Sequence, residues 1–155
     1  MRISTIVTIL AVIALAVFVF PKLTMIDRAP WRYAPETAAL KAIQTVNTAQ
    51  VRYKSQFGRF ATSLIELGPP TSGTANATSA DLISKDLGSG GTQDYRFTLT
   101  GTPAGYTITA LPKASGSTGP RTFFSDQSLV VRENDGPEPA TLKSREVGSA
   151  AQREK

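Results

Sequence analysis

The apolar positions of this chain fall into three patterns. The first is an uncharged run from Ile3 to Phe20, diluted only by Ser4, Thr5 and Thr8. As a helix rising ~1.5 Å per residue it is about 27 Å long, close to the ~30 Å hydrocarbon thickness of a bilayer. It predicts a transmembrane anchor over residues 1–21, with Ile3, Ile6, Ile9, Leu10, Ile13, Val17 and Phe20 as its anchoring side chains. A cleaved secretory signal is the competing reading, since Ala14-Leu15-Ala16 offers small residues two apart. Cleavage there leaves Val17-Phe18-Val19-Phe20 at a new terminus, which favours a retained span. Both readings place most of the chain outside the cytoplasm.

Residues 22–35 read as a kinked connector, because Pro21, Pro30 and Pro35 remove helix donors and push the preceding residues out of the α region. Trp31 and Tyr33 suit either a membrane–water boundary or packing beneath the domain. The second pattern has a helical period and covers Glu36 to Phe57. Ala39, Ile43, Val46, Gln50, Tyr53 and Phe57 recur at steps of four and three, while Lys41, Thr45, Thr48, Arg52 and Ser55 fall opposite. Glu36 suits the positive end of the helix dipole, and Gly58 is a C-terminal stop. The stripe spans fewer than three heptads and Gln50 interrupts it, so a helix packed on its own sheet is favoured over a coiled coil. Thr62 to Leu67 reads as a short second helix ended by Gly68-Pro69-Pro70.

After a Gly/Ser/Thr/Ala-rich loop with a helical turn at Asp81 to Leu87, the period becomes two. Tyr95, Phe97 and Leu99 alternate with polar residues. Gly101 to Gly105 supplies turn chemistry, and Tyr106, Ile108 and Ala110 resume the alternation, so an antiparallel hairpin is expected. Arg121–Phe124 and Leu129–Arg132 predict a second hairpin turning through Ser125-Asp126-Gln127-Ser128. From Glu133 to Lys155 aromatics are absent and aliphatics few, which predicts a disordered polar tail. The expected fold class is α+β: a transmembrane helix, then an amphipathic helix on an antiparallel sheet of about four strands. The head, residues 36–132, is expected to pack Ile43, Val46, Tyr53 and Phe57 against Phe97, Leu99, Tyr106 and Ile108.

Composition narrows the chemistry. Neither cysteine nor histidine occurs, which excludes thiolate and imidazole metal sites, Cys–His nucleophiles and Ser–His–Asp triads. Seventeen basic against 12 acidic residues give +5, but the cations are scattered, so a solvated surface is favoured over a nucleic-acid patch. Gly88-Ser89-Gly90-Gly91 lacks the Lys-Ser or Lys-Thr of a phosphate-cradling loop. Ser84-Lys85 lacks the spacing of a catalytic dyad. Asp126, Glu133 and Asp135 could approach one another, but without the ordered spacing of a Ca²⁺ loop. Asn76-Ala77-Thr78 fits a glycosylation sequon, meaningful only in a eukaryotic secretory pathway. No catalytic group, cofactor, metal or small-molecule substrate is expected, and the chain does not read as an enzyme.

The order of apolar helix, amphipathic helix, variable loop and antiparallel sheet resembles type IV pilins and the pseudopilins of type II secretion. Local wording carries the likeness: Ala42-Ile43-Gln44-Thr45-Val46-Asn47-Thr48-Ala49-Gln50-Val51-Arg52-Tyr53, then Phe57-Gly58-Arg59-Phe60-Ala61 with Leu64 and Leu67. Gly105-Tyr106-Thr107-Ile108-Thr109-Ala110 and Arg121-Thr122-Phe123-Phe124-Ser125-Asp126-Gln127 are similar to the family's sheet strands. The likeness covers residues 36–132. Residues 1–21 contain neither the glycine that ends the family's leader nor the glutamate of its anchor, whose place falls near Thr5 or Ile6. The resemblance implies a bacterial inner-membrane protein, single-pass, with its head in the periplasm or outside the cell. Lys22, Arg28 and Arg32 against Arg2 weigh mildly toward the opposite orientation, but a two-residue N-terminal segment is the easier one to leave behind. The implied partners are the membrane and other pilin-like or secretion-system proteins. The expected role is structural, as a minor pilin or pseudopilin; a non-polymerising tethered docking or ligand-binding domain is the alternative.

Overall fold

A computed structural model describes residues 34–92, 94–102, 105–113 and 121–148. The anchor expected over residues 1–21 lies outside these, as do Trp31 and Tyr33. Among the described residues no helix is long and apolar enough to cross a membrane.

The described chain is α+β. One long helix, α1 (Ala34–Phe57), precedes two single-turn helices, α2 (Leu64–Leu67) and α3 (Lys85–Gly88). Five strands follow: β1 (Tyr95–Thr102), β2 (Gly105–Pro112), β3 (Thr122–Asp126), β4 (Arg132–Asn134) and β5 (Arg145–Glu146). They form one antiparallel sheet in the order β1-β2-β3-β4-β5. Helix α1 begins two residues earlier than the sequence suggests. Pro35 is tolerated there because a first-turn residue needs no N–H donor. The helix ends where Gly58 adopts φ +75° and donates its N–H to the Lys54 carbonyl at 2.9 Å.

Ala39, Ile43, Val46, Ala49 and Tyr53 from α1 join Tyr95, Phe97, Leu99, Tyr106, Ile108, Ala110 and Phe123 from the sheet in one buried core. Phe57 is only partly buried at its margin, against Tyr53 with ring centroids 4.7 Å apart. Complete burial of an Ile or Phe contributes about 2 kcal/mol, so this seam dominates the stability. Phe60, Leu64, Leu67, Ile83 and Leu87 close one end of the core.

The hairpin of β1 and β2 pairs Tyr95 with Pro112 through to Thr102 with Gly105. The second hairpin is displaced from its expected position. Thr122 pairs with Asn134 and Phe124 with Arg132, so Leu129 to Val131 belong to the connection and not to the strand. The expectation of disorder from Glu133 onward also gives way over residues 133–148, and its remainder, 149–155, lies outside the described residues. Glu133 is 3% exposed and lies between two arginines, Ala140 is buried, and β5 pairs with β4. Ion pairs and backbone pairing fix this segment, and aliphatic content does not register either. The sheet therefore has five strands where about four were expected.

Candidate interaction surface

The face of α1 turned away from the sheet is one exposed surface of the described residues, beside the separately exposed Ile65 and Leu142. Gln44, Thr48, Val51, Arg52 and Ser55 form an exposed stripe at helical spacing. Val51 is 50% exposed, an apolar residue on a polar face. Two open hollows flank the stripe. One, of about 330 Å³, lies toward Leu82 and includes Lys41, Gln44, Thr48 and Arg52. The other, of about 450 Å³, lies toward Leu129 and includes Gln44, Asn47, Thr48, Val51 and Arg52.

The second hollow has an unusual wall. Leu129 ends the β-turn that starts at Asp126, whose carbonyl accepts its N–H at 2.9 Å, and whose carboxylate accepts the Ser128 N–H at 2.8 Å. Leu129 adopts φ +66° and is 48% exposed. This left-handed conformation suits glycine or asparagine; a branched aliphatic residue there is strained. The turn thus holds a leucine in solvent, on the same hollow as Val51.

Polar groups beneath α1 hold this surface in shape. Asn47 donates to Ser125 Oγ at 2.9 Å and accepts from the Tyr106 hydroxyl at 3.0 Å, and Ser125 donates onward to the Val130 carbonyl at 3.0 Å. Those bonds fix the connection that carries Leu129 against the helix. Burial pushes the Tyr106 phenol well above its ordinary pKa, with Asp126 adding to the shift. Gln50, which interrupts the apolar stripe in sequence, is fully buried with both ends of its amide bonded to Ala61.

Two charged clusters lie away from this face and serve the scaffold. Arg121 donates to Glu36 through Nε (2.9 Å) and Nη2 (2.6 Å) and to Glu133 through Nη1 (2.6 Å). Arg145 takes the other Glu133 oxygen at 2.9 Å and reaches Asp135 at 2.8 Å. Partial burial alone would lower the Arg121 pKa, but its bonds to Glu36 and the charge of Glu133 raise it. In the second cluster, Glu66 accepts from Arg59 at 2.8 Å, Thr62 Oγ1 at 2.6 Å and Tyr53 at 2.9 Å. Burial would raise the Glu66 pKa, yet the bonds from Thr62, Arg59 and Tyr53 outweigh it and hold the carboxyl below the usual range. Burial, then the bond to Glu66, pushes Tyr53 up to about 12.

The remaining sequence candidates are absorbed by local structure. Ser84 caps α3 by accepting the Leu87 N–H. Gly90 and Gly91 run along β1, where the Gly90 carbonyl accepts the Phe97 N–H at 2.8 Å and Gly91 bridges to Arg96. The Asn76 side chain accepts from the N–H and hydroxyl of Thr78 and so closes its own turn. Glu133 and Asp135 face arginines, whereas Asp126 serves the turn before Leu129. Among the described residues no three carboxylates gather to hold a metal ion. Val51 and Leu129 are not picked out by the sequence reading. Their available signals are an aliphatic residue on a polar helix face and a leucine where an Asp-Gln-Ser turn favours glycine.

No family model, curated protein or solved structure matches the chain.

Proposed function

We propose that this chain is a membrane-tethered, pilin-like protein whose head works through contacts with other proteins. The observation that carries the reading is the free stripe of α1, where Val51 and the strained Leu129 present aliphatic surface beside one hollow. Support comes also from the apolar run at Ile3–Phe20, and from the succession of long helix and antiparallel sheet that the pilin resemblance implies. On this reading the protein sits in the bacterial inner membrane with its head in the periplasm or beyond, as a minor pilin or pseudopilin subunit.

A second reading, a tethered head that docks without polymerising, is favoured by one specific feature. The run from Ile3 to Phe20 holds no carboxylate, so the charge pairing used for assembly in the resembled family has no acidic partner there. Crosslinking in intact membranes separates the two. A ladder of like subunits marks assembly, and one heterologous adduct marks docking. Recovery of the full-length chain as a detergent-free monomer in the soluble extract overturns both.

A further inference from the structure

We infer that the hollow between α1 and the β3–β4 connection receives an acidic amphipathic helix of a different protein; this rests on the reading that the head works by docking. Three observations define the occupant.

The first is charge. Arg52 is the charged side chain lining this hollow, and Lys41 joins it on the neighbouring hollow along the same helix; both are cationic. Helix α1 contains no carboxylate after Glu36, which Arg121 already engages. An occupant that carries carboxylates is attracted, and one that carries lysines is repelled.

The second is apolar geometry. Val51 and Leu129 stand on the same hollow, each about half exposed. The turn keeps a leucine at φ +66°, where glycine would fit without strain. A strained, solvent-facing aliphatic residue gains nothing in the isolated head and gains burial when a partner covers it.

The third is backbone chemistry. An extended peptide docks by adding hydrogen bonds to a free sheet edge, whereas this hollow lies along a helix whose N–H and C=O groups are bonded internally. Side chains at Gln44, Thr48, Val51 and Arg52 form a ridge that a second helix can straddle.

Two other occupants fit less well. A second copy seated face to face would set Lys41 and Arg52 against themselves. Anionic membrane surfaces are read by clusters of about four to eight basic residues, and the hollows offer two.

The test uses the full-length chain in neutral detergent micelles and two synthetic helical peptides with the same leucine stripe. One carries glutamates on its flanks and the other lysines, and binding is followed by fluorescence anisotropy. The expected result is that the glutamate peptide binds at least about tenfold more tightly than the lysine peptide. Arg52→Glu should narrow or invert that ratio. Leu129→Gly should weaken binding about tenfold while raising the melting temperature, because it removes strain and contact surface together. Absence of binding at millimolar glutamate peptide, equal binding of the two peptides, or indifference to both substitutions overturns the inference. So does displacement of the peptide by anionic lipid added to the micelles, or a dimer of the chain in detergent whose formation competes with the peptide. Recovery of the chain from the soluble extract sinks the tethered reading and leaves the peptide ratio intact, so the two failures are distinguishable.

Discussion

Gln50 and Ala61 close a ring of two hydrogen bonds: Nε2 donates to the Ala61 carbonyl at 2.9 Å, and the Ala61 N–H donates to Oε1 at 2.9 Å. Both residues are fully buried. A side-chain amide here replaces the strand that would otherwise satisfy this stretch of backbone. Replacing Gln50 with leucine keeps the volume and orphans two buried backbone groups, each costing about 1–3 kcal/mol. Gln50→Leu is therefore expected to lose about 3 kcal/mol in urea denaturation, although it completes the apolar stripe. Unchanged stability would show that the ring is not formed in solution.

Ala61 is also approached from the sheet. A Cβ built on Gly101 would lie 2.6 Å from the Ala61 carbonyl oxygen, a contact that only backbone movement can relieve. Gly101→Ala is expected to destabilise the head by about 2 kcal/mol by the overpacking argument. Because both changes act on Ala61, the double variant with Gln50→Leu should cost clearly less than the sum of the two singles. Additive costs would place the two effects at separate sites.

Arg121 bridges the first turn of α1 to β4 through Glu36 and Glu133, and Glu133 is 3% exposed. Removing one partner of a buried pair strands the other charge, at a cost of about 3–5 kcal/mol, discounted here to about 2–3 because Arg145 still contacts Glu133. Arg121→Leu should lower stability by that amount. Arg121→Lys should restore less than half of it, since a single ammonium cannot reproduce the forked contacts. Chemical denaturation with matched m-values is the measurement.

The pH dependence follows from the Glu66 cluster. With its folded pKa below the unfolded value of about 4.3, Glu66 contributes stability that is present above that pH and fades as pH falls through the folded value. Glu66→Gln should be less stable at neutral pH, and its melting temperature should fall less than that of the wild type between about pH 4.5 and pH 3. At the alkaline end the sign reverses. Tyr53 and Tyr95 are pushed up to about 12, so their contribution is complete below about pH 10 and is lost as pH climbs toward 12. Phenolate absorbance should rise together with unfolding in that window.

Much of the head is legible in its sequence where burial follows a period. Ile43, Val46 and Tyr53 on α1, and Phe97, Leu99, Tyr106 and Ile108 on the first hairpin, alternate cleanly and are all buried. Other parts are held by polar chemistry that periodicity cannot register. Asn47 sits on the buried face because Ser125 and Tyr106 satisfy its amide. Strands β4 and β5 are three and two residues long, and Glu133 and Arg145 read as solvated charges until the fold sets them side by side. Leu129 looks like the start of a strand, yet the Asp126 turn places it outside the ladder. The hollow shared by Val51 and Leu129 is the least legible part, since it depends on residues some eighty positions apart that meet only in the folded head.

Every pairing in the sheet joins strands that are consecutive along the chain. Loop closure in such a meander stays local and entropically cheap. A polypeptide delivered end-first, from a ribosome or through a translocation channel, could add each ribbon to the one just laid down without reopening any earlier contact. The helix emerges ahead of all of them, and its greasy side stays unshielded until the first ribbon arrives.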